Sequence, residues 1–421
     1  MGNRARIGSS MGADIVHEFD VWGNTIGRQS KGWQSQIKRD KFGLEKETLL
    51  PGGISSHWKR DQRGRISAHW VNKANNQAPA PLRNHQYLPD LLRSVKYEWD
   101  VEDRLKSLTD PLGGMMQFEH DSFGNLTKTT FGDGKAQLRN PDPVGNLFET
   151  KDRTDRRYDK GGKLLESRNA TYKYDKEGNL IEKKEKNGKV WLYEWNAAGM
   201  LVKVIRPDKD QVTFGYDALG RRVWKRIHNT ITKWIWDGNK PLHDWKEHAL
   251  SGDILSDTTV GADGVITWLF DEDSFVRVAK LKGEKKYSII TDHLGTPVQM
   301  YQEDGTRFWQ GELDSYGRMR MEQGDVGSCP FRYQGQYADK ETGLYYNRFR
   351  YYAPEEGMYV SQDPIRLEGG SQLYEYVHDP TSTLKSLNCR IKFSEFDPGF
   401  SIGEVPIDFG LFPIALILPS C

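Results

Sequence analysis

The chain has 421 residues, of which 36% are apolar and 12% aromatic, so burial has to depend strongly on Trp, Tyr and Phe. Its 60 basic and 59 acidic residues nearly balance and form no basic face, which argues against nucleic acid as a partner. Neither the cysteines nor the histidines have a metal-like spacing, and no pattern points to a metal or cofactor. The N-terminus has no apolar signal core, and the apolar run at 411–418 is too short to cross a bilayer.

A motif recurs along the first two thirds of the chain. It consists of an aromatic residue, two others, Asp, two others, Gly, one other, and Leu or Ile, and clear copies start at Trp58, Phe118 and Tyr172. Weaker copies start at Tyr97 and Tyr193. The anchor positions step by 20 or 21 residues within three runs, which are 20, 40, 61; 100, 121, 142; and 175, 196, 217. Such a period indicates a repeat architecture, with gaps such as 62–96 where the repeat has decayed.

Each repeat predicts a β-hairpin. The Asp side chain accepts hydrogen bonds from nearby backbone amides, and the Gly adopts the positive φ that closes the turn. Alternating aromatic and β-branched residues predict strands of about seven to nine residues on either side. Because one hairpin is barely stable alone, the hairpins have to pair edge to edge. The sequence therefore predicts an all-β fold in which the repeat Asp and Gly residues are structural rather than catalytic.

A second set of motifs occupies the C-terminal third. It resembles the Rhs-associated core of bacterial Rhs proteins, which belong to the YD-repeat superfamily. The segments that carry this resemblance are Ser288–Pro297, Asp314–Gly317, Pro330–Gln336, Glu341–Tyr352, Gly357–Pro364 and Gly369–Tyr376. The resemblance implies a repeat array at 1–284, a core region at 285–380 and a divergent variable tail at 381–421.

In that family the repeats wind as a spiralling β-sheet into a hollow shell. The shell encloses a C-terminal polypeptide, commonly a toxin, and the core region plugs one end. The implied partners are the chain's own tail or a toxin as cargo, secretion-system or toxin-complex components, and an immunity protein. The anchors are few for a closed shell, so we expect an incomplete one that is truncated at the N-terminus. A fragment, a decayed gene copy and a displaced toxin-tip cassette remain open explanations.

The family's core region also carries an aspartic autoprotease, and one half of its site is present. Arg350 and Asp363 match the family spacing of an Arg thirteen residues before an Asp-Pro. The second Asp should lie where this chain has Lys385 and then Ser386, and Arg366 replaces the glycine that follows the first Asp-Pro. Because such catalysis needs one protonated and one charged carboxyl, the resemblance implies a degenerate site without efficient self-cleavage. Asp379 is a weaker substitute, six residues short of the expected place.

Three functions follow as expectations. The leading one is a non-catalytic part of an Rhs encapsulation shell for intercellular competition and toxin delivery. The alternatives are a cell-surface carbohydrate-binding module built on repeat aromatics, and an active self-cleaving Rhs toxin that releases its tail. Four acidic residues of the tail form no recognisable catalytic pair, so the tail is expected to be a remnant rather than a working toxin: Glu395, Asp397, Glu404 and Asp408. No signal identifies a compartment, and the resemblance implies synthesis in the bacterial cytoplasm and specialised secretion.

Overall fold

The computed structural model describes residues 3–73, 91–111, 113–248, 264–272, 274–365 and 372–382. They belong to one compact unit, Met1–Leu384, and the rest of the chain, Lys385–Cys421, forms a second unit. Regular structure in the described ranges is β-sheet, apart from the short 3₁₀ turns at Pro51–Gly53 and Lys160–Gly162. These ranges contain no helix long and apolar enough to cross a membrane. The predicted all-β fold is confirmed.

The first long sheet has twelve strands, which pair in chain order and antiparallel throughout. They are β1 Arg6–Gly8, β2 Asp14–Phe19, β3 Thr25–Ser30, β4 Trp33–Arg39, β5 Glu45–Leu50, β6 Ile54–Arg60, β7 Ile66–Lys73, β8 Leu91–Trp99, β9 Leu105–Asp110, β10 Gly114–His120, β11 Leu126–Thr130 and β12 Ala136–Leu138. The sheet continues through β6, β7 and β8 in the region where the repeat signal is weakest. Loss of the motif at 62–96 therefore does not interrupt the sheet.

A small pair, β13 Asn140–Pro141 and β14 Leu147–Phe148, separates this sheet from the next. The second long sheet has sixteen strands, again in chain order. They are β15 Arg156–Tyr158, β16 Leu164–Ser167, β17 Ala170–Tyr174, β18 Leu180–Glu185, β19 Val190–Trp195, β20 Leu201–Ile205, β21 Gln211–Tyr216, β22 Arg222–Ile227, β23 Thr230–Asp237, β24 Lys240–His248, β25 Ile266–Phe270, β26 Arg277–Lys282, β27 Lys285–Thr291, β28 Pro297–Gln302, β29 Arg307–Leu313 and β30 Met319–Gly324.

A four-stranded sheet completes the described fold. Its strands are β31 Tyr337–Ala338, β32 Tyr345–Asn347, β33 Arg350–Ala353 and β34 Met358–Tyr359. This small sheet packs on the second long sheet through one apolar cluster, which includes Tyr346 and Tyr351 on one side and Phe214 and Leu201 on the other. A buried ion pair between Arg222 and Asp339, with Lys225 Nζ 2.9 Å from the same carboxylate, joins the same two parts.

The repeat turns have the predicted geometry. Asp121 Oδ1 accepts hydrogen bonds from the backbone amides of Phe123 and Asn125, both at 2.9 Å. Gly124 has φ 83° and donates its amide to the Asp121 carbonyl at 3.1 Å. The strands are often shorter than the predicted seven to nine residues, as β17 has five and β18 six. They are shorter because the turn and the β-bulge before the anchor Asp use residues that the motif assigned to strands.

The two long sheets contact each other directly. Trp33 is fully buried and donates its indole N–H to Ser288 Oγ at 3.0 Å, so a residue of β4 bonds to a residue of β27. The glycines Gly52 and Gly305 bring the two backbones together nearby, since a Cβ placed on Gly52 would lie 2.2 Å from the Gly305 nitrogen. Tyr97 and Tyr172, the aromatic residues of two repeats, are also buried. Core formation therefore depends on the repeat aromatics, as the composition predicted.

Candidate autoprotease site

The structure brings the two predicted site residues together. Arg350 is the first residue of β33, and Asp363 follows the short strand β34 by four residues. Arg350 Nη2 lies 2.8 Å from Asp363 Oδ2, and both side chains are about nine-tenths buried or more. The spacing in the sequence therefore corresponds to a direct, shielded ion pair, which is stronger than an exposed one because water screens it less.

Further contacts fix this ion pair in place. The guanidinium carbon of Arg350 lies 3.6 Å from the ring centroid of Tyr359, which is close enough for a cation–π interaction. The Asp363 backbone amide donates to the Leu373 carbonyl at 2.8 Å, and Arg350 Nη1 reaches the same carbonyl at 3.4 Å. Asp363 Oδ1 also accepts the Ile365 amide at 3.3 Å. These bonds tie together β33, β34 and the strand-free segment that follows residue 371.

The substitute acid, Asp379, has a different set of contacts. Its Oδ2 lies 3.0 Å from His120 Nε2, and its Oδ1 accepts both the amide and the hydroxyl of Thr381. Burial raises the pKa of Asp379, but the hydrogen bonds from His120 and Thr381 outweigh it, and the net pKa is lowered. In a catalytic pair of carboxyls, one member has to be protonated. A carboxyl with a lowered pKa is mostly deprotonated at neutral pH, so Asp379 is poorly suited to be that member. Lys385, Ser386 and Arg366 lie outside the described residues.

A cavity of about 310 Å³ lies between β16–β19 and the small sheet, and no motif in the sequence pointed to it. Glu356 is one of its lining residues, with Lys183 Nζ at 2.7 Å and the Tyr172 hydroxyl donating at 2.8 Å. Burial raises the pKa of Tyr172 and Tyr193, so both remain neutral phenols. Glu356 follows β33 in a turn, and only the fold brings it to Lys183. Across the described ranges, no three His, Cys, Asp or Glu residues are grouped to hold a metal.

Comparison with known proteins identifies the family. A family model described as Teneurin YD-shell matches residues 94–394, which is more than two thirds of the chain. The chain belongs to the Teneurin YD-shell family. The match spans β8 to the small sheet, so it covers the Arg350–Asp363 pair.

Two curated relatives of this YD-shell chain support the resemblance to bacterial Rhs proteins. It is 28% identical over 391 residues to a probable deoxyribonuclease RhsB of Dickeya dadantii, covering 88% of this chain and 25% of the relative. It is also 28% identical over 312 residues to a double-stranded DNA deaminase toxin A of Burkholderia cenocepacia, covering 68% of this chain and 21% of the relative. The chain thus spans about a quarter or less of the length of these proteins. The predicted membership of the Rhs and YD-repeat proteins is confirmed.

The fold is shared with a solved toxin structure. A structure of the Photorhabdus luminescens Tc holotoxin pore aligns with 90% of this chain and 20% of that chain, at 15% identity and a TM-score of 0.56. At this identity the similarity concerns the fold alone. It supports the predicted all-β fold of repeated antiparallel hairpins.

Proposed function

We propose that this chain is a non-catalytic part of an Rhs shell that holds a toxin polypeptide. In this proposal, residues 1–284 form part of the shell wall and residues 285–380 form the region that closes one end. Residues 381–421 belong to the enclosed polypeptide. Its partners are then that polypeptide, the delivery machinery that carries the shell, and an immunity protein in the producing cell.

The observation that carries the proposal is the path of the last described residues. The Thr381 carbonyl lies 2.8 Å from His293 Nε2, in the turn between β27 and β28. The next residue, Ser382, accepts the Leu105 amide of β9 on its hydroxyl at 3.0 Å. The first two residues of the variable tail therefore contact both long sheets, as a segment leading into a shell should.

A structural role for Arg350 and Asp363 is consistent with their contacts. Asp363 is bonded to the buried guanidinium of Arg350, whereas catalysis by paired carboxyls needs a second acid, and Asp379 bonds to His120 and Thr381 instead. The ion pair and the hydrogen bonds to the Leu373 carbonyl stabilise the end region because they connect β33 to the segments around Asp363 and Leu373. The carbohydrate-binding alternative is the weaker one because the repeat aromatics Tyr97, Tyr172 and Tyr193 are buried, and the exposed aromatics Trp22, Phe42 and Phe123 lie in turns rather than on a strand face.

Intact-mass spectrometry of the freshly purified full chain tests the proposal. We expect one species near 48.4 kDa, because the degenerate site does not cut the chain. Asp363→Asn should leave this mass unchanged and lower the thermal stability, since it leaves Arg350 buried without its charge partner. Glu119→Gln, at a more exposed ion pair with Lys128, is the control and should have little effect on stability.

A cleavage product that ends near residue 387 and disappears in Asp363→Asn would contradict the non-catalytic proposal and favour the self-cleaving toxin. Limited proteolysis tests the enclosure separately. We expect a C-terminal epitope tag on the full chain to resist protease in native buffer and to be lost in urea. Rapid loss of the tag in native buffer would contradict enclosure of the tail while leaving the cleavage result intact.

A further inference from the structure

A second cavity lies where the two long sheets meet. It has a volume of about 230 Å³ and is lined by residues of β3–β7, of β26 and β27, and of the loops around them. It shares no lining residue with the Arg350–Asp363 pair or with the cavity around Glu356. Its charged lining comprises three arginines and three carboxylates, namely Arg28, Arg60, Arg277, Glu45, Asp271 and Asp292.

Arg277 is the unusual member of this lining. Its side chain is almost fully buried, with 1% exposure, and its guanidinium carbon lies 3.6 Å from the ring centroid of Phe331. Neither Nε nor Nη1 has a hydrogen-bond partner among the described residues. Burial lowers the pKa of Arg277 to about 9, because little nearby negative charge compensates the guanidinium. A buried, uncompensated cation favours a bound anion.

Two further hydrogen-bond donors of the same cavity lack a partner among the described residues. They are Nε of Arg28 and Oγ of Ser35. Arg28 and Ser35 are at least nine-tenths buried. Unsatisfied buried donors are rare in folded proteins, so their convergence on one cavity points to a ligand that accepts hydrogen bonds.

The carboxylates of the lining do not neutralise Arg277. Asp271 pairs with Arg28. Asp292 Oδ1 accepts the amides of Leu294 and Thr296 in its own turn. The Glu45 carboxylate accepts a hydrogen bond from the hydroxyl of Thr48, three residues further along β5.

We propose that this cavity binds a small oxyanion, either a phosphate or a carboxylate group, with Arg277 as its main ligand and Ser35 as a second donor. The planar guanidinium presents two parallel N–H groups, which match two oxygens of such an anion. The volume far exceeds the ~10–15 Å³ that one water needs, so an anion fits together with its own waters. The ligand would join the two long sheets, because Ser35 belongs to β4 and Arg277 to β26.

Thermal unfolding and titration calorimetry of the full chain in Tris chloride test the proposal. The probes are inorganic phosphate and malonate, each compared with chloride at equal ionic strength. We expect a saturable rise in melting temperature of about 1–2 °C at ten times Kd, together with measurable binding heat. A response to phosphate alone or to malonate alone identifies which oxyanion the cavity accepts.

Variants separate specific binding from the general stabilisation that phosphate gives any protein by exclusion from its surface. Arg277→Met keeps an apolar contact with Phe331 and should abolish the saturable rise and the heat. Arg332→Gln is the matched control: Arg332 is also buried, but it bonds to the carbonyls of Cys329 and Phe331 and does not line the cavity. It should keep the response.

If Arg277→Met does not fold, Ser35→Ala gives the same answer, with phosphate affinity expected to fall about fivefold for one lost hydrogen bond. Equal responses in the wild type and in Arg277→Met would overturn the proposal. So would the absence of binding heat with both anions in the wild type, or unchanged affinity in Ser35→Ala.

Discussion

Asp244 on β24 is a single residue whose ionisation opposes folding. It is buried, and its Oδ2 accepts the indole N–H of Trp268. Burial raises the pKa of Asp244 to about 6, and the hydrogen bond from Trp268 and the charge of Lys280 reduce that rise without cancelling it. No pattern in the sequence distinguishes this Asp from the many Asp residues of the turns.

The pH dependence of stability follows from this raised pKa. The unfolded chain ionises Asp244 near pH 4, while the folded chain keeps it protonated up to about pH 6. Its contribution to stability is therefore complete below pH 4 and is lost as the pH rises to 6. We expect Asp244→Asn to match the wild type at pH 4 and to be more stable at pH 7.5 by about 1–3 kcal/mol, measured by urea unfolding.

The control for this experiment is Asp14→Asn. Asp14 is exposed, and its hydrogen bond from Arg6 lowers its pKa, so its ionisation affects stability only below pH 4. It should leave the change in stability between pH 4 and pH 6 as in the wild type. A wild-type stability that rises over this range by as much as that of Asp244→Asn would contradict the assignment.

At the scale of one element, the repeat hairpin depends on the anchor Asp. We expect Asp121→Ala to reduce the free energy of unfolding by about 1 kcal/mol, because two backbone amides lose their acceptor. Asp121→Asn should cost less than Asp121→Ala, because its amide oxygen keeps both backbone bonds and only the bond from Asn125 Nδ2 to Asp121 Oδ2 is lost. The chain already uses an Asn at another anchor. There, Asn196 Oδ1 accepts the amides of Ala198 and Met200, both at 3.0 Å. Equal losses in the two variants, measured by urea unfolding, would show that charge rather than hydrogen bonding matters.

Hairpins were the part of the fold that the sequence predicted best, because the Asp and Gly of each turn make contacts within five residues. The same local chemistry explains the limits of that prediction. Strand β8 pairs with β7 although no motif precedes it in 62–96. Pairing there depends on the neighbouring strand edges and on the burial of Val71 and Val95, which a turn motif does not record. The break between the long sheets near β13 and β14 had no predicted counterpart.

At the scale of the candidate site, Arg350 and Asp363 could be found because the family spacing corresponds to a direct contact between the first residue of β33 and the segment that follows β34. Arg277, Ser35 and Glu356 could not be found from the sequence. Their surroundings come from strands that lie far apart in the sequence and meet only when the sheets pack. The family resemblance thus predicted a pair that is close in the sequence, Arg350 and Asp363. The residues that line the cavities between sheets could be identified only from the structure.

For the whole molecule, the contact between the long sheets at Gly52 and Gly305 determines how closely they approach. A Cβ on Gly52 would lie 2.2 Å from the Gly305 nitrogen and 2.7 Å from its Cα, both backbone atoms that cannot rotate away. Gly64 has a similar φ, 82° against 76° for Gly52, but nothing lies within 4 Å of a Cβ there. Substitutions at Gly52 and Gly64 therefore separate two effects. Both strain the backbone, but only the one at Gly52 affects the contact between the sheets.

We expect Gly64→Ala to lower the free energy of unfolding by about 1–2 kcal/mol, the usual cost of a left-handed conformation for an L-residue. Gly52→Ala should cost a further 1–3 kcal/mol or so, because the sheets must move apart to admit the methyl group. Urea unfolding of both variants, followed by tryptophan fluorescence, measures the difference. Trp33 is fully buried and bonds to Ser288 of the other long sheet, so its emission should shift to the red in Gly52→Ala and not in Gly64→Ala. Equal losses of stability would mean that the long sheets are free to adjust at this contact.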